Sequence, residues 1–145
     1  MITHQIVFRA LLITSCGYAL WRGHRDERIV AVVCLAATVV SRLTNAPVSV
    51  RYTGVETSLL LIDLAVLATF VFVALRSRRF WPLWVAGLQL TSSTAHLMKA
   101  IDQHLLPIAY GAAVALWSYP ILIILAVATW RGQRRLADPS PAVPV

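Results

Sequence analysis

Arginine falls in three short clusters that bracket long apolar runs, and this pattern constrains the chain more than any other feature. Nine of the thirteen Lys and Arg residues lie in Arg22, Arg25 and Arg28, in Arg76, Arg78 and Arg79, and in Arg131, Arg134 and Arg135. Each interval between clusters is long enough to cross a bilayer and return. The bias of basic residues toward the cytoplasmic side then places all three clusters on that side.

Composition agrees with this reading. Over 145 residues the chain is 59% hydrophobic and only 13% charged, with a mean hydropathy of +0.73, whereas a soluble domain carries about 25% charge. The sequence predicts an all-α, polytopic integral membrane helix bundle, with the bacterial inner membrane as its expected location. A net charge of +7 would suggest nucleic acid in a soluble protein. Here the basic residues flank apolar segments, so the expected partner is anionic lipid and not nucleic acid.

About 20 apolar residues are needed to cross a bilayer, and five spans are expected: 5–21, 28–46, 55–75, 80–100 and 107–130. Arg42 interrupts the second and Pro47 ends it. Thr91, Ser92, Ser93, Thr94 and His96 make the second half of the fourth polar, so its insertion requires neighbouring helices to cover that face. Five spans place the N-terminus outside and the C-terminus in the cytoplasm, with residues 131–145 as a basic, then proline-rich, disordered tail. Trp21, Trp81, Trp84 and Trp130 fall at the cytoplasmic ends, where an indole suits the head-group level; Trp117 falls mid-span and is expected to pack between helices.

The chemistry-bearing candidates are the polar residues at membrane depth. Asp63 lies eight residues into the third span, about 12 Å from its outer end at 1.5 Å per residue, and a carboxylate there must be paired or protonated. The connection between the third and fourth spans is short, so the two are antiparallel neighbours, and equal depth sets Asp63 opposite Ser92 and Ser93. Gln89, Ser92 or Ser93, His96 and Lys99 share one face of the fourth span. Arg9 lies in the same outer half and can supply a countercharge. Two arrangements follow: an outer-half polar cluster of Asp63, His96, Arg9 and Lys99 lined by Gln89, Ser92 and Ser93, or a single Asp63–Arg9 ion pair that fixes helix register.

Other features carry less. Thr53-Gly54-Val55-Glu56 fits a capping box, which assigns Glu56 to a helix start. Ile13-Thr14-Ser15-Cys16 resembles a bacterial lipobox, which implies an acylated Cys16; the alternative is a small packing residue, and Cys34 is read the same way. Gly111 and Ala115 form a small-x-x-x-small face for packing within the bundle or between subunits, and Pro120 is expected to kink the fifth span. No cofactor or metal is expected; a bis-histidine haem would need His4 and His96 at matched depth. Five short spans with five tryptophans resemble, in architecture only, the small tryptophan-rich sensory proteins, which bind porphyrins and sterols.

No hydrolase, nucleotide-binding or redox motif is present. The expected function is that of a non-enzymatic accessory or scaffolding subunit, or of a small-ligand binder using the outer-half cluster. One alternative is a proton-linked transporter or channel using Asp63 and His96; another is a membrane enzyme acting on a lipid or quinone with His96 as base.

Overall fold

The computed structural model describes residues 2–44, 55–101 and 107–137, and over these the chain is all-α, as the sequence predicts. Five helices follow one another: α1 (Ile2–Arg22), α2 (Arg25–Thr44), α3 (Val55–Arg76), α4 (Trp81–Ile101) and α5 (Pro107–Ala137). Each packs on its neighbour in sequence, and α5 packs back on α1, so the five form a closed ring. A lesser contact between α2 and α5 crosses its middle.

One core fills the ring. Leu12, Cys16 and Ala19 come from α1, Val30 and Ala31 from α2, and Phe70, Val73 and Ala74 from α3. Val85 and Ala86 come from α4, and Ile121, Leu122 and Leu125 from α5. On α1 these positions recur every three to four residues, and on α5 Ile121 and Leu122 lie four and three residues before Leu125, which lines each set along one face. Cys16 and Ala19 on α1 and Ala31 on α2 are small, the residue type that permits close helix packing. Cys16 is wholly buried, at the lipobox position, in the middle of a continuous helix.

Two short connections lie at one end of the ring. Residues 23 and 24 join α1 to α2, and residues 77–80 join α3 to α4. Gly23 is required by the first: its N–H donates to the Ala19 carbonyl at 2.8 Å, and a Cβ there would lie 2.2 Å from that same oxygen. The backbone N–H of Arg28 donates to the His24 carbonyl, which opens α2 directly after the turn. The three arginine clusters thus gather at a single end of the bundle.

Some expectations change. α5 continues through Arg131, Arg134 and Arg135 to Ala137, so the third basic cluster belongs to a helix and not to a tail; Pro120 lies inside the same helix. Its 31 residues span about 46 Å at 1.5 Å per residue, longer than a bilayer core, and the excess carries the arginines. Among the described residues one helix, Thr57–Arg76, is long and apolar enough by itself to cross a membrane. Charges in the first turn of α2 and the polar half of α4 dilute those helices. The proposed capping box, the Gly111/Ala115 face and residues 138–145 lie outside the described residues or side chains.

Candidate functional site

Asp63 is held between α3 and α4. Gln89 donates through Nε2 to Oδ1 at 2.6 Å, and Ser93 donates through Oγ to Oδ2 at 2.5 Å. Gln89 and Ser93 are one helical turn apart, so both reach the same carboxylate from one face of α4. Both are buried, and Asp63 is partly buried. The sequence expectation that a short connection sets Asp63 opposite the serines corresponds to this contact. Ser92 is also buried but is not a partner of Asp63. His96 and Lys99 continue along α4 beyond Ser93, both partly buried.

Arg9 does not join them. It is exposed on α1, and in the ring α1 sits between α2 and α5 while α3 sits between α2 and α4. Arg9 therefore stands outside the cluster and the Asp63–Arg9 ion pair is not formed, whereas His96 lies within electrostatic reach of both Asp63 and Lys99. The rotation of α1 about its own axis turns Arg9 outward. The carboxylate is bound by two neutral donors instead.

The hydroxyls of α4 divide by face. Ser92 and Ser93 point inward, whereas Thr91 and Thr94 point outward and donate to the carbonyls of Gly87 and Leu90 at 3.1 and 2.8 Å. Thr14 and Thr69 on other helices do the same with Ala10 and Ala65. A hydroxyl bonded to the preceding turn needs no water.

A second polar centre, not anticipated from sequence, lies at the arginine-rich end. Glu27, in the first turn of α2, is wholly buried, and Oε1 accepts from Arg79 Nη1 at 2.7 Å. His24 Nδ1 lies 3.9 Å from Glu27 Oε2. Beside them, Ser77 Oγ donates to Asp26 Oδ2 at 2.7 Å, and the Arg79 backbone N–H donates to Ser77 Oγ. From α5, Gln133 Nε2 donates to the Arg22 carbonyl. Gly132 packs so closely that a Cβ there would lie 3.3 Å from the His24 ring and 3.4 Å from Arg79 Nη1. This end is therefore a charged clasp joining α1, α2, α5 and the α3–α4 connection, where the sequence suggested arginines and tryptophans without buried acidic partners.

One signal did point to the clasp. Asp26 and Glu27 are two of only six acidic residues in the chain, and both sit inside a basic cluster. Acidic groups in a first turn also favour the positive end of the helix dipole.

His4, the other histidine considered for haem, lies on α1 with its side chain outside the described set. Among the described residues no group of three or more His, Cys, Asp or Glu side chains is arranged to hold a metal ion. Compared with known protein families, curated proteins and solved structures, the chain matches none. The likeness to tryptophan-rich sensory proteins thus rests on span count and tryptophan content.

Proposed function

We propose that this chain is an integral membrane protein whose five helices cross the inner membrane, with the arginine-rich end in the cytoplasm, and that it acts as a non-enzymatic accessory or scaffolding subunit. The observation that carries the membrane reading is a broad apolar surface around a core that also holds polar side chains. Large apolar side chains are exposed on every helix, among them Ile13 at 66%, Leu43 at 76%, Leu61 at 61%, Leu90 at 55% and Leu116 at 64%. Glu27, Gln89, Ser92, Ser93 and Thr129 are buried. Water would penalise so broad an apolar surface, and soluble monomers rarely carry one. Hydrocarbon accepts it, and the self-bonded threonines suit that solvent as well.

The scaffolding role is supported by how the polar groups are used. The clasp joins helices and Asp63 joins α3 to α4, and both uses are structural. Reporter fusions after Arg79 and at the C-terminus, together with an alkaline carbonate wash of isolated membranes, test the placement. Both fusions should report cytoplasm and the protein should stay in the pellet; a periplasmic signal from either fusion, or release by carbonate, overturns the topology or the membrane reading.

A second reading is favoured by one contact. Asp63 accepts from Gln89 and Ser93 and lies within electrostatic reach of His96 further along α4, and a carboxylate and an imidazole side by side at membrane depth are the residue types that relay protons. Proton-linked transport predicts that Asp63→Asn abolishes a proton-dependent flux in vesicles while the protein still folds. Unchanged flux discards it.

A further inference from the structure

We propose that the groove between α4 and α5 at the arginine-rich end is a binding site for one anionic phospholipid. This rests on the membrane reading above. The groove encloses about 430 Å³, and its lining changes character along its length. Ile123, Ile124 and Val127 line one part, and Arg131 and Arg135 the other. On α5 these positions recur at steps of three and four, so they form one stripe that passes from apolar to basic within a single turn. A phospholipid changes from acyl chain to phosphate in the same direction.

The charge of the groove is not neutralised from within. Glu27 occupies Arg79, but Arg78, Arg131 and Arg135 are in no ion pair among the described residues. Three guanidinium groups thus border one opening, and each can bind a phosphate oxygen pair in its planar fork. Trp81 also lines the groove, with its indole nitrogen buried in the protein. Basic grooves between membrane helices on the cytoplasmic side suit anionic head groups for the same reasons. A free phosphate would use the arginines and leave the apolar half of the stripe without purpose.

The test is native mass spectrometry of the purified protein in a mild detergent, titrated with phosphatidylglycerol, with phosphatidylcholine of the same acyl chains, or with inorganic phosphate. One phosphatidylglycerol should bind in preference to phosphatidylcholine by roughly tenfold or more, as expected for several arginines at an anionic head group. Arg131→Gln with Arg135→Gln should remove the preference. Both side chains are exposed, so the pair is not expected to disturb folding, and Arg9→Gln serves as a control that leaves the preference intact. Val127→Trp, which fills the apolar part, should weaken phosphatidylglycerol binding without altering any charge. Equal binding of the two lipids, an unaffected double variant, or displacement of lipid by equimolar inorganic phosphate each overturns the proposal. Carbonate extraction of the same membranes separates the two failures: protein that stays in the membrane without lipid preference refutes the lipid site alone, and protein that washes out refutes the membrane reading beneath it.

Discussion

Arg79 and Glu27 stand 52 residues apart in the chain and meet at 2.7 Å, with Glu27 wholly removed from solvent. A buried carboxylate loses its hydration, and only a close cation and good geometry offset that cost. Arg79 is about one-third exposed, so it keeps part of its own hydration while neutralising the acid. The pair links the start of α2 to the connection between α3 and α4, at the one end of the bundle where all three arginine clusters gather.

Removing one partner should therefore harm more than removing both. Arg79→Ala strands the buried carboxylate and should lower stability by about 3 kcal/mol. Replacing Glu27 and Arg79 together by leucine should cost distinctly less. Thermal unfolding of the purified protein in detergent reads the difference. If the single and double variants melt alike, the pair makes no net contribution through charge.

Two glycines at this end should resist substitution. Alanine at position 23 would place a Cβ 2.2 Å from the Ala19 carbonyl oxygen and 2.9 Å from Glu27 Cβ, and backbone must move to admit it. A cost of about 1–3 kcal/mol is expected, as for other overpacked sites. At position 132 the nearest atoms belong to side chains, at 3.3–3.4 Å, so Gly132→Ala should cost less. The same melting experiment ranks the two, and Gly132→Ala melting below Gly23→Ala would contradict the turn geometry.

Much of this fold was legible because one-dimensional spacing carries position along each helix. The arginine clusters marked the ends of the helices, and the short link after Arg76 made α3 and α4 antiparallel, which brought Asp63 to Ser93. Azimuth was not legible in the same way. Arg9 lies on the outward face of a helix that the ring separates from α3. Glu27 reads in sequence as an ordinary first-turn acid. Its burial depends on Arg79 and on α5 closing against α1, contacts that no local pattern encodes.

At the other polar centre, the bonds to Asp63 should be separable. Gln89→Leu removes one donor and Ser93→Ala the other, and each should cost about 1.5–3 kcal/mol, the range for a hydrogen bond to a charged group. The two losses should not add, because both bonds end on one carboxylate. A double variant whose cost equals the sum of the singles would show that the donors act independently. Asp63→Asn retains an acceptor oxygen and should be milder than Asp63→Leu.

Under the proposed membrane placement, tryptophan offers a measure of how deep the arginine-rich end sits. Trp21 and Trp130 are exposed at that end, and the guanidinium groups of Arg22 and Arg134 lie 4.9 and 4.2 Å from their ring centroids. Trp84, one turn into α4, is exposed as well. An indole stacked with a cation belongs at the head-group level, where its apolar body and the charge are both solvated. In a variant carrying Trp117→Phe, a nitroxide quencher placed at the lipid head group should therefore reduce emission more than one at the acyl-chain end. Stronger quenching from the chain end would place these rings in the hydrocarbon, and with them Arg22 and Arg134, where an unpaired charge is costly. That outcome would mean that the helices cross at a different depth and that the groove bordered by Arg131 and Arg135 does not open at the head groups.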